Sequence, residues 1–148
     1  MTAVDPPLHR FHVPEGVDRL AEIRTFVRDT VAQLGGSKRV AEDLVQAVDE
    51  LTCNILLHGY DGKPGDIEIE ARRRNGSIEI RILDRAPLFD PTAPRPASNQ
   101  PAPRKPGTAG AGLHLARTMT DAVRHHVRPG GGNELTLVRS IDDQPVEG

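Results

Sequence analysis

The stretch Ile67–Asp84, IEIEARRRNGSIEIRILD, decides the architecture. Ile67, Ile69 and Ala71 alternate with Glu68, Glu70 and Arg72, and beyond Asn75-Gly76 the residues Ile78, Ile80 and Ile82 alternate with Glu79 and Arg81. A period of two puts one set on each face of a pleated strand. Asn-Gly between two such runs is the strongest short hairpin signal, because both residues tolerate the positive φ of a tight turn. The stretch therefore reads as an antiparallel hairpin with one buried and one wet face.

Upstream, Arg10 to Val13 alternates like a short strand. Leu20, Ile23, Phe26, Val27, Thr30, Val31 and Leu34 recur at three- and four-residue steps, which predicts an amphipathic helix from about Val17 to Leu34, closed by Gly35-Gly36. Ser37 is the expected N-cap of a second helix with Val40, Leu44, Ala47, Val48, Leu51 and Ile55 as its apolar stripe and Gly59 at its end. Downstream, Leu113, Leu115, Ala116, Met119 and Thr120 predict a short helix. Ala122–Val127 reads as a strand, and Leu135 and Leu137, with Ile141, as a last one. The order β-α-α-β-β-loop-α-β-β is α+β. It implies a two-layer sandwich, with helices packed on one face of a mostly antiparallel mixed sheet.

Seven of the 13 prolines fall between Pro87 and Pro106, so that segment is neither helix nor inner strand. A loop longer than about 12–15 residues is usually a functional lid or disordered. The strands and helix after it need a sheet to rest on, so residues 1–148 read as one domain and residues 85–109 as a long excursion inside it.

Composition closes several doors. The 148 residues are 36% hydrophobic and 27% charged with a net charge of −2, which gives no general pull toward nucleic acid or anionic lipid. Cys53 is the single cysteine, which rules out an internal disulfide and any multi-cysteine metal site. Aromatics are 3% with no Trp, against a base-stacking platform. No apolar run approaches the roughly 20 residues of a membrane span, and MTAVDPPLHR lacks the regions of a signal peptide. A cytoplasmic location is the default expectation.

Three places carry chemistry. Glu50, Asn54 and His58 lie four apart on the second helix and share one stripe if the helix is regular. A solvated helix face explains the same spacing. Asp84 ends a strand before the long loop, where it could meet a ligand or merely start a turn. In GTAGAGLHL, residues 107–115, a glycine-rich turn runs into a helix N-terminus, a place that suits phosphate. Its spacing is neither a Walker A loop nor a dinucleotide fingerprint. The remaining residues read as structural: His9 and His12 as surface residues, His125 and His126 on opposite faces of a strand, and Cys53 as a small core residue. The signature set of eukaryotic protein kinases is absent.

Taken in order, these stretches resemble the GHKL (Bergerat-fold) ATPase superfamily, and within it the anti-sigma factor serine/threonine kinases of bacterial partner-switching systems. DELTCNILLHGY (49–60) resembles the family's N box, DRAPLFDP (84–91) its first glycine box, GAGLHLARTMTD (110–121) its second, and GNELTLVR (132–139) its closing strand. The resemblance implies a Bergerat ATP-binding fold using ATP and Mg²⁺. Asn54 would be the Mg²⁺ ligand and Glu50 the general base. The nucleotide-binding set would be Asn54, His58, Asp84, Ala86, Gly110, Gly112, Leu113 and Thr136, with Asp84 accepting from the adenine amino group. Residues 85–109 would be a mobile ATP lid. The protein substrate implied is a STAS-type anti-sigma antagonist, the second partner a sigma factor, and the family commonly dimerises. No direct nucleic-acid or membrane partner is implied.

One departure stands out: the usual D-x-G is Asp84-Arg85-Ala86 here. If that position needs φ > 0, a non-glycine residue costs roughly 1–2 kcal/mol. This opens an alternative, a non-catalytic partner-binding regulator with a weakened nucleotide site. A third reading, an isolated histidine-kinase catalytic domain, would expect a helix bearing a phospho-accepting His ahead of the fold.

Overall fold

The structure, a computed structural model, describes residues 8–15, 18–60, 65–87 and 115–141. The strands are β1 (His9–His12), β2 (Ile67–Arg74), β3 (Ser77–Asp84), β4 (Ala122–Val127) and β5 (Asn133–Ser140). The helices are α1 (Arg19–Gln33) and α2 (Lys38–Asn54), and α2 runs into a π-helical turn at Ile55–Gly59. One five-stranded sheet forms in the order β1-β2-β3-β5-β4. All four pairings are antiparallel. The α+β sandwich expected from the sequence is the fold observed.

Local signals set the element ends. Asp18 caps α1 by accepting from the Ala21 N–H at 3.2 Å, and Ser37 caps α2 by accepting from the Val40 N–H at 3.2 Å. The hairpin turns at Asn75-Gly76, with Arg74 opposite Ser77. There Asn75 takes the positive φ, 54°. The Asn side chain makes it one of the few non-glycine types at ease in that region.

The core lies between the helices and one face of the sheet. Val27, Val31, Val40, Leu44, Val48, Ile67, Ile69, Ile78, Ile80, Ile82 and Leu137 are all closed to solvent at 0% exposure. Almost the whole core is branched aliphatic, in keeping with the scarcity of aromatics. Phe11 and Phe26 stack with centroids 5.1 Å apart and fasten β1 to α1. Residues 115–119 are helical and bury Ala116 completely, at 0% exposure.

Among the described residues, the outer face of the sheet carries charge and no helix. One cross-strand row runs Arg10, Glu70, Arg81, Thr136, Arg124. Glu70 is bracketed by Arg10 at 3.0 Å and Arg81 at 3.7 Å. Such partly solvated pairs contribute little stability but keep this face wet. The register corrects one expectation. Thr136 belongs to the outer face, while Leu135, Leu137 and Asn133 face the helices, so Thr136 is on the opposite side of the sheet from Asp84.

Candidate functional site

Asp84 is the last residue of β3 and is 1% exposed. Its Oδ1 accepts from the Ala86 N–H at 2.9 Å and from Asn133 Nδ2 at 2.9 Å. Burial pushes its carboxyl up from the ordinary aspartate value, and the two hydrogen bonds hold it back in part. A raised acid binds its proton more tightly folded than unfolded. Its contribution to stability is therefore complete below the unfolded aspartate pKa and is lost as pH rises through the folded one. Asp84→Asn removes that loss. The variant is expected to be at least as stable as wild type at neutral pH, with the difference shrinking toward pH 4 in urea titrations. A difference that grows toward acid would reverse the assignment.

The chain around Asp84 is clamped from three sides. Arg128 donates from Nη1 to the Asp84 carbonyl at 3.0 Å. The Arg85 N–H donates to the Tyr60 hydroxyl at 2.6 Å, and that hydroxyl donates to the Asp66 carbonyl at 2.6 Å. Arg85 Nη1 donates to the Gly131 carbonyl at 2.6 Å. Burial pushes the Tyr60 phenol up, so it stays protonated and keeps its donor role. Gly132, at φ +104°, passes so close that a Cβ would lie 2.2 Å from the Asp84 carbonyl oxygen. Gly132→Ala adds that clash to left-handed strain and is expected to cost more than about 2 kcal/mol. Gly76→Ala, where a Cβ meets nothing within 4 Å, is the matched control in the same urea titration.

Ala86 escapes the strain its substitution for glycine suggested. Among the described residues Asn75 is the sole non-glycine residue at positive φ, so Ala86 is not left-handed. Its methyl is buried, 2% exposed, and faces the π turn: a Cβ built on Gly59 would lie 3.1 Å from it. Two contacts thus bring the end of the N-box stretch to the Asp84 turn, Gly59 against Ala86 and Tyr60 against Arg85.

Asn54 closes α2 at the start of the π turn. It is 2% exposed, and neither its Oδ1 nor its Nδ2 has a hydrogen-bond partner among the described residues. A buried amide left unpaired costs about 1–3 kcal/mol, so such a group calls for a functional reason. Glu50, half-buried, sits one helical turn before it. The expected stripe Glu50-Asn54-His58 does not continue regularly. The π turn adds a residue to the turn, so the backbone position one turn on from Asn54 is Gly59. Such turns occur often at functional sites. Gly110, Gly112, Leu113, the His58 side chain and residues 88–109 of the expected lid lie outside what the structure describes.

The sequence alone gives Asn133 no role, and its reading of His125 is a structural one. Asn133, 3% exposed, stands opposite Asp84 in the β3–β5 register and is bonded to it. His125 Nε2 lies 2.8 Å from Asn133 Oδ1. The other structural readings hold in outline. His126 is on the outer face opposite Glu134, and His12 pairs with Asp66 at 3.4 Å. Cys53 is only partly buried, and burial raises its thiol.

The assembled site has an acceptor carboxylate at a strand exit, an unpaired amide oxygen at a helix end, and a second carboxylate one turn before it. That set suits a polar ligand carrying an amino group and a hard cation. No helix among the described residues is long and apolar enough to cross a membrane.

Comparison with known proteins bears on the family of the chain. The chain is 29% identical over 118 residues to an anti-sigma F factor of Thermoanaerobacter sp. (strain X514), covering 80% of this chain and 82% of that one. It is 24% identical over 140 residues to the serine-protein kinase RsbW of Bacillus cereus (strain G9842), covering 91% and 86%. Among solved structures it resembles the RsbU and RsbW domains of Rv1364c from Mycobacterium tuberculosis, with a TM-score of 0.63 at 20% identity over 90% of this chain. This chain spans about a third of that larger one, 32%, and the likeness at that identity speaks for the fold. The model of the histidine kinase-like ATPase domain matches residues 13–139. With α1, α2, most of the sheet and the Asp84 turn within that span, the chain belongs to the histidine kinase-like ATPase domain family.

Proposed function

We propose that this protein is an ATP- and Mg²⁺-dependent serine/threonine protein kinase that doubles as an anti-sigma factor. The observation that carries the reading is Asn54, a buried amide with both polar atoms unpaired among the described residues. It sits beside Glu50 and is joined through the π turn to the Asp84 box. The relatives' names, anti-sigma F factor and serine-protein kinase, support the two halves of the role.

In this reading Asp84 accepts from the adenine amino group with the oxygen that Ala86 and Asn133 do not engage. The Asn54 side-chain oxygen is a hard donor of the kind Mg²⁺ prefers alongside phosphates and water. Bound Mg²⁺ would neutralise charge on the phosphates. Glu50 takes the proton from the attacking serine or threonine hydroxyl as its oxygen bonds to the γ-phosphorus and the bond to the ADP oxygen breaks. Positioning and charge do most of the work in phosphoryl transfer. Gly110, Gly112 and Leu113 border the phosphates under a lid that begins after the clamped Arg85-Ala86 pair and runs to residue 109, and His58 completes the nucleotide contacts. The protein substrate is a STAS-type anti-sigma antagonist. A sigma factor competes for a shared face, and the protein works in the cytoplasm as a homodimer.

The test is phosphoryl transfer from γ-labelled ATP to purified STAS-type antagonists with Mg²⁺. An acid-stable phosphoester on serine or threonine is expected. An acid-labile phosphoramidate would point to histidine-kinase chemistry. Tight sigma-factor binding without any transfer would make the protein a non-catalytic regulator. Ala86 was the feature favouring that last alternative, and its unstrained backbone weakens the case.

A further inference from the structure

The carboxylate that reads the base is itself held by a chain of side chains reaching the edge of the sheet. Asn133 Nδ2 donates to Asp84 Oδ1 at 2.9 Å. The same nitrogen lies 3.3 Å from the Pro87 carbonyl and 3.5 Å from that of Ala86. All three partners are acceptors, so the amide has to turn its NH₂ toward them. Its oxygen is then turned toward β4, where His125 Nε2 lies 2.8 Å away. An amide oxygen only accepts, so Nε2 carries a hydrogen. The chemistry of each member thus dictates the next: the acid orients the amide, and the amide selects the imidazole's donor nitrogen.

Two features lift this chain above ordinary satisfaction of buried groups. The Asp84 main chain is already fixed by Arg128 at its carbonyl and by the close pass of Gly132. The remaining freedom is the rotation of the carboxylate, and Asn133 controls it together with the Ala86 N–H. Asn133 and Asp84 are also 3% and 1% exposed. In so dry a place a hydrogen bond is directional and its loss is costly.

We propose that His125 and Asn133 are positioning residues that set nucleobase selectivity, holding the Asp84 carboxylate so that it accepts from a 6-amino purine and repels a 6-oxo purine. The proposal rests on the reading of Asp84 as the adenine acceptor. It adds an edge-strand histidine that acts through Asn133. A loosened carboxylate could swing away from a 6-oxo group. Loss of the chain should therefore weaken ATP while sparing inosine triphosphate.

Calorimetric titration of ATP and of inosine triphosphate separates the possibilities. Wild type is expected to prefer ATP. His125→Phe removes the donor and is expected to lower the ATP preference by about tenfold, the scale of one well-placed hydrogen bond. His125→Gln places an amide N–H the same number of bonds from the backbone and is expected to restore the preference. Asn133→Ala should lower it at least as far as His125→Phe. A His125→Phe protein that keeps the wild-type ratio overturns the proposal, and so does one that loses both nucleotides equally, which marks a merely structural role. Wild type that binds neither nucleotide overturns the nucleotide reading and this proposal with it. Selective wild type beside an equally selective His125→Phe overturns this proposal alone.

Discussion

Asn54→Leu is expected to melt above the wild-type protein while losing Mg²⁺-dependent ATP binding. Leucine has the same number and branching of heavy atoms as asparagine, so the space is refilled. Two buried polar atoms without partners among the described residues are replaced by methyl groups. Relief of an unpaired amide is worth about 1–3 kcal/mol. For a domain of this size that corresponds to a rise in Tm of about 2–10 °C. The opposite signs are the point. A residue kept for packing would destabilise when replaced, whereas one kept for a ligand stabilises the empty protein and abolishes the function. A lower Tm would show that Asn54 has a structural partner, and the functional case for it would weaken.

Glu50→Gln is expected to leave ATP affinity within about twofold and to slow phosphoryl transfer by about 10²–10⁴-fold, the usual contribution of a positioned general base. Glutamine keeps the shape and the hydrogen-bonding reach of the side chain but cannot take a proton. The loss should appear in kcat with KM for ATP unchanged, the pattern of an interaction made only in the transition state. A fall of less than threefold would remove Glu50 from the base role and leave it a residue of the cleft wall. Single-turnover transfer to a STAS-type antagonist reads the effect free of product release.

Much of this molecule was legible because its core obeys strict periods. The alternation through Ile67–Ala71 and Ile78–Ile82 produced the hairpin and its inner face, and the three-and-four spacing of Ile23, Val27 and Val31 produced α1 with its buried side. Ser37 and Asn75-Gly76 marked boundaries through local chemistry, and β4 falls at Ala122–Val127 as read. The π turn was not legible, since Ile55–Gly59 carries no pattern that separates it from α-helix. It ends the stripe at Asn54.

The Thr136 assignment failed for a reason the sequence did contain. Leu135 and Leu137 are core residues, so alternation alone puts Thr136 outside and Asn133 inside. His125 was different. Its adjacency to His126 showed that the two face opposite ways, but only the β4–β5 register brings it to Asn133. Tyr60 likewise joins Arg85 and Asp66 through contacts between separate elements, which no local pattern encodes.

The N-box helix end and the Asp84 turn are proposed to form one Mg²⁺-dependent ATP site. Calorimetric titration of ATP into wild type and Asn54→Leu, with Mg²⁺ and with chelator, addresses it most directly. Saturable binding to wild type that weakens at least tenfold without Mg²⁺ is expected, with no Mg²⁺ effect in Asn54→Leu. Binding to wild type that ignores Mg²⁺, or an Asn54→Leu protein that binds Mg²⁺-ATP as wild type does, would contradict it.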